Sequence, residues 1–144
     1  MKTIVVIALT IMLAAPAIAQ EKTADEIRAE AKDAIGVALP EIENYPDSML
    51  RGAWAWMNDV EDGKGALDPK TMQLIALAVA AQIPCQYCTH YHKAAALSLK
   101  ATEQEIAEAV AIAGYVRNWS TVLYGTGANI DNYKKMVDGL FANQ

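Results

Sequence analysis

Residues 69–100 read PKTMQLIALAVAAQIPCQYCTHYHKAAALSLK, and how this stretch folds decides the architecture. After its first turn, Pro69–Gln82 is apolar on nearly every side, which predicts a central, buried helix with Asp68-Pro69 at its start. Ile83-Pro84 interrupts it, because the residue before a proline resists helical geometry while proline itself suits the first turn of a new helix. A second helix is expected from Pro84 or Cys85 to about Lys100. So short a break makes the two helices an antiparallel hairpin, and it puts both cysteines of the chain at the N-terminus of the second arm.

Outward from the hairpin the signals remain helical. Toward the N-terminus, TADEIRAEAKDAIG (23–36) has a Thr N-cap, an acidic first turn and a terminal Gly, which predicts a loosely attached amphipathic helix. Pro40 and Pro46 punctuate a connector, a further helix is expected from about Asp47 to Glu61, and DGKGALDPK (62–70) reads as a loop. Toward the C-terminus, Thr102 and Glu105 form a capping box that opens a long helix stopped by Gly125 and Gly127. NIDNYKKMVDGLF (129–141) gives a last helix. No alternating strand pattern occurs, so the expected fold class is all-α, built round the hairpin.

The first residues, MKTIVVIALTIMLAAPAIAQEK (1–22), combine one lysine, a short apolar run and a small-residue box, the pattern of a secretory signal cleaved after Ala19. The apolar run is too short for a comfortable membrane span, so no permanent anchor is expected. The predicted organisation is a signal peptide over 1–19, an N-terminal helix and connector over 20–45, and a helical domain over 46–144. The expected location is the periplasm or the exterior. The net charge of −5 becomes −6 once Lys2 leaves with the signal, and a mixed-charge acidic chain with no basic run argues against nucleic acid as partner.

Cys85, Cys88, His90 and His92 are all the cysteines and histidines of the chain. On a helix at about 100° per residue, Cys85, Cys88 and His92 share one narrow stripe while His90 points elsewhere. A helix N-terminus and a nearby imidazole both favour a thiolate, so the Cys-x-x-Cys-x-x-x-His unit holds a nucleophile, a base and a resolving thiol. Other readings stay open. A zinc site lacks an evident fourth ligand, a disulfide across so small a loop constrains the unfolded chain little, and Thr89 stands where c-type haem attachment needs His. Trp54, Trp56 and Met57 are expected in a core or subunit interface, and Tyr115, Trp119 and Tyr124 in packing.

Residues 73–110, QLIALAVAAQIPCQYCTHYHKAAALSLKATEQEIAEAV, resemble the hallmark segment of the carboxymuconolactone decarboxylase and alkylhydroperoxidase D-like family: an apolar helix, a Cys-x-x-Cys, a histidine four residues on and an acidic capped helix. The resemblance implies an all-helical domain that assembles into trimers or hexamers and needs no cofactor. In its peroxidase branch, Cys88 would attack the peroxide, Cys85 would close the disulfide and His92 would belong to a proton relay. Cys88 is preferred as nucleophile because His92 is its i+4 neighbour.

Two positions depart from the pattern. Gln73 stands where the family relay has Glu, and Tyr87 where some peroxidases have a second His. Folding the hairpin brings Gln73 opposite roughly Ala94, close enough to orient His92 without carrying a proton for it. The lactone decarboxylase branch lacks the dithiol, which argues against that activity.

The expectation is thus an exported thiol peroxidase or dithiol-disulfide oxidoreductase with the candidate catalytic set Cys88, Cys85, His92 and Gln73. Its substrate is a hydroperoxide or a disulfide, and its thiol electron donor is unidentified. The lipoyl-bearing reductant of the cytoplasmic systems that it resembles is not expected across a membrane. The alternative is a non-catalytic binding or assembly module with a permanent disulfide or a metal site.

Overall fold

A computed structural model describes residues 21–142. All of its regular elements are helices: α1 (Ala24–Ile35), α2 (Pro40–Glu43), α3 (Asp47–Glu61), α4 (Pro69–Gln82), α5 (Gln86–Ser98), α6 (Glu103–Gly125) and α7 (Ile130–Phe141). The chain divides into two compact units, one running to Trp56 and the other from Met57, so the division falls inside α3.

In the first unit, the Thr23 side chain and Glu26 cap α1 reciprocally, and Gly36 closes it in the left-handed region at φ 86°. Arg28 ties α1 to the start of α3 by donating to Asp47 at 2.6 Å and to the Tyr45 carbonyl at 3.0 Å. The connector is not wholly irregular. Pro40 sits in the first turn of the four-residue α2, where its missing N–H is one of those a helix start leaves unused anyway. Ile27, Ala31, Ile42, Leu50 and Trp54 are buried, whereas Trp56 is 74 % exposed.

In the second unit, α4 packs against both α5 and α6. Leu77, Ala96, Ala101 and Ile106 form the buried cluster, with Leu74 packed against it. Small residues on α5 let α4 approach closely, which is why an alanine-rich arm serves this hairpin. Asp68 caps α4 through the Thr71 amide and Pro69 occupies its first turn, as expected. Thr102 and Glu105 form the capping box of α6. Lys70 at the start of α4 reaches Glu105 at 2.7 Å and joins the two helix origins.

Two expectations about the hairpin need correction. The all-round apolarity of α4 does not bury all of it. Gln73, Leu77 and Ala80 lie inside, but Ile75 is 48 % and Val79 54 % exposed, because α5 and α6 cover one stripe only. Nor does α5 begin at Pro84 or Cys85. Pro84 has φ 22°, far from the value of about −65° that a helical first turn uses. It instead ends α4, with the Cys85 amide bonded back to the Ala80 carbonyl at 3.1 Å. Lys100 plays the same part after α5 at φ 68°, and Gly127 after α6 at φ 64°.

Tyr115, Trp119 and Tyr124 are not packed inside the chain. They are 64 %, 50 % and 88 % exposed, and with Ile130 and Tyr133 they line an open groove between α6 and α7. No residue of α7 is buried.

Candidate functional site

Once Pro84 has turned the chain, Cys85 becomes the N-cap of α5, and its Sγ accepts the Cys88 amide at 3.2 Å. A cap normally offers an oxygen to an orphan amide of the first turn; here a sulfur takes that place. Cys85 and Cys88 form a disulfide, with their Cα atoms 5.3 Å apart. The Thr89 hydroxyl and amide both donate to the Cys85 carbonyl at 2.9 Å, so the first turn of α5 is held on two sides. Both cysteines are half-buried.

His92 lies one turn beyond Cys88 on the same face of α5. Its Nδ1 is 2.7 Å from Oε1 of Gln73 on α4. Gln73 is 5 % exposed, and its Nε2 donates to Oε2 of Glu61, the last residue of α3, at 2.7 Å. Three helices thus meet in one chain of hydrogen bonds, Glu61 to Gln73 to His92. The expected orienting role of Gln73 has its geometry here, while Glu61 is a member that the sequence did not disclose. A signal existed: α3 and α4 are joined by a short loop, so the acid that ends α3 falls beside the first turns of α4.

The polarity of this chain follows from its members. An ionised carboxylate only accepts, so Gln73 must turn its NH2 toward Glu61 and its oxygen toward His92. That oxygen also only accepts, so a neutral imidazole makes this bond only with its proton on Nδ1, which leaves the lone pair to Nε2. Burial pushes the His92 pKa below its ordinary value, and the negative charge of Glu61 opposes that in part. The neutral, basic imidazole is favoured. The Tyr91 ring meets it edge-on at 5.1 Å.

The other candidates lie apart. His90 is exposed and Tyr87 is 91 % exposed. Among the described residues no group of three His, Cys, Asp or Glu gathers to hold a metal ion. No helix among them is long and apolar enough to cross a membrane. The expected signal sequence, 1–19, lies outside the described residues.

The fold resembles that of the alkylhydroperoxidase AhpD core from Rhodospirillum rubrum, with a TM-score of 0.61 and 25 % identity, over 76 % of this chain and 84 % of that one. "Uncharacterized protein 4 in cox locus" of Paracoccus denitrificans is 38 % identical over 65 residues, which are 45 % of this chain and 59 % of that protein. The chain therefore matches less than two thirds of that relative's length. The family model for the carboxymuconolactone decarboxylase family matches residues 45–128, a span that holds the capped dithiol, the Gln73–His92 contact and Glu61. By its sequence and its helical fold, the chain belongs to the carboxymuconolactone decarboxylase family.

Proposed function

We propose that this protein is an exported thiol-dependent peroxidase, a dithiol-disulfide oxidoreductase that cycles Cys85 and Cys88. The observation that carries the reading is the Cys85–Cys88 pair closing over the first turn of α5, with a basic imidazole held one turn along the same face. The similarity to an alkylhydroperoxidase core supports it.

In this reading the Cys88 thiolate attacks one oxygen of a hydroperoxide, the O–O bond breaks, and the alcohol leaves with a proton. Cys88 is then a sulfenic acid. Cys85 attacks that sulfur, water departs, and the disulfide forms. Two electrons and two protons from an external thiol donor restore the dithiol. His92, neutral at Nε2, takes the Cys88 proton and returns it to the departing oxygen. Gln73 and Glu61 hold the ring.

The N-terminal signal pattern supports export to the periplasm or beyond. The working form is a homo-oligomer, a trimer or hexamer. The exposed Ile75 and Val79 of α4 and the aromatic groove of α6 and α7 support it, being apolar surfaces that the single chain leaves open. The decisive experiment mixes reduced protein with a hydroperoxide and no donor. About one equivalent is consumed per dithiol, and Cys88→Ser abolishes the loss. No loss above buffer overturns the peroxidase reading.

A second reading rests on Gln73, whose amide donates and accepts hydrogen bonds but cannot relay a proton at neutral pH. With the disulfide permanent, the chain would be an assembly or binding module. A Cys85–Cys88 reduction potential far below that of the compartment would select it.

A further inference from the structure

Gln73 is a buried polar side chain with both ends engaged, and what it engages beyond His92 is a carboxylate in an unfavourable place. Glu61 is the last residue of α3, where the helix dipole disfavours negative charge, and α3 has no basic residue in its last turn. Among the described residues no cation forms an ion pair with it. Among the described residues its side-chain hydrogen bond is the one it accepts from Gln73. Neither helix stability nor charge pairing accounts for an acid at this point. The orientation of the Gln73 amide does.

We propose that Glu61 is a positioning residue for His92: through Gln73 it locks the imidazole in the Nδ1–H form and so reserves Nε2 for proton exchange with the cysteines. The proposal rests on the dithiol reading above and extends it to an acidic residue one helix beyond Gln73. Left alone, a buried glutamine can present either its oxygen or its nitrogen to a histidine, and the two choices select opposite tautomers. An acceptor-only carboxylate on the far side removes the choice. A tautomer set from beyond the contacting residue is a familiar outcome where a histidine must offer one chosen nitrogen. The carboxylate is displaced one helix away from His92, and the amide between them conveys orientation and electrostatic bias but no proton.

The test reads the tautomer directly. Imidazole 1H–15N correlation spectra are recorded on the full, 15N-labelled chain in its disulfide form, so that no thiol titrates. The parent protein is expected to show His92 protonated at Nδ1. Glu61→Ala is expected to lose that preference. Glu61→Gln, nearly isosteric, is expected to weaken it, and it decides the matter if the alanine variant does not fold. The exchange of Glu61→Gln with Gln73→Glu returns an acceptor-only group to Nδ1 and is expected to restore it. A parent protein protonated at Nε2, or a Glu61→Gln variant with the parent's tautomer, overturns the proposal. On the reduced proteins, Glu61→Gln is expected to slow hydroperoxide consumption about tenfold, with recovery in the exchange variant. A parent protein that consumes no hydroperoxide counts against the peroxidase reading alone, since the tautomer is read without turnover.

Discussion

Gln73 Oε1 and His92 Nδ1 face each other at 2.7 Å across the α4–α5 hairpin, and this contact holds the imidazole in place. His92 is accordingly expected to be the most sensitive non-cysteine position of the site. His92→Phe keeps the ring volume and removes the base, so hydroperoxide consumption should slow about a hundredfold or more. Stopped-flow kinetics at neutral pH checks this, and a rate within about threefold of the parent would exclude His92 as base.

The same imidazole makes a prediction in pH. Burial lowers its pKa from the ordinary 6.5, more than Glu61 raises it. The neutral form therefore persists below the pH at which an exposed histidine protonates. In an NMR titration of the disulfide form, the midpoint of His92 should fall below the ordinary 6.5. A midpoint above that value would mean that the charge of Glu61 outweighs burial.

The two cysteines should differ in their chemistry. Cys85→Ser should still form a trappable sulfenic acid at Cys88, whereas Cys88→Ser should form none at Cys85. Limiting alkylation of the reduced protein should label Cys88 first. Since Cys85 receives an amide at the helix start, labelling of Cys85 first would exchange the two roles.

Away from the site, Lys70 and the Thr102 amide hold the Glu105 pKa at about 2, against 4.5 for a free carboxyl. A carboxylate with a depressed folded pKa adds stability that is present above the unfolded pKa and is lost as pH falls through the folded one. Glu105→Gln should therefore lower the thermal midpoint at pH 7. The gap from the parent should shrink between about pH 4.5 and 2. A gap that stays constant across that window would show that the pair contributes nothing.

Leu77 is 1 % exposed in the buried cluster, so Leu77→Ala should cost about 2–5 kcal/mol in urea unfolding. Ile75→Ala, on the open face of the same helix, should cost far less in the monomer.

The hairpin was legible because its signals are local: Asp68-Pro69 at one start, Ile83-Pro84 at the break, and Thr102 with Glu105 after the second arm. Gln73 beside His92 followed from folding that hairpin about its break. Glu61 is signalled only by the loop that joins α3 to α4; its bond to Gln73 depends on the path of that loop, which no periodicity encodes. The start of α5 was misplaced because proline is an equally good signal for a helix start and for a residue that lies just past a helix end. Here the Cys85 amide is used to close α4. The open side of α4 was missed because apolar pattern records that a face avoids water, not what covers it.

Because Cys85 is a cap and Cys88 lies in the turn that it caps, the helix start itself sets the 5.3 Å between their Cα atoms, within the range that a disulfide spans. The backbone acts as a fixed jig. In the proposed cycle, bond making and bond breaking both start from this one scaffold, and the side chain one turn along the same face is His92.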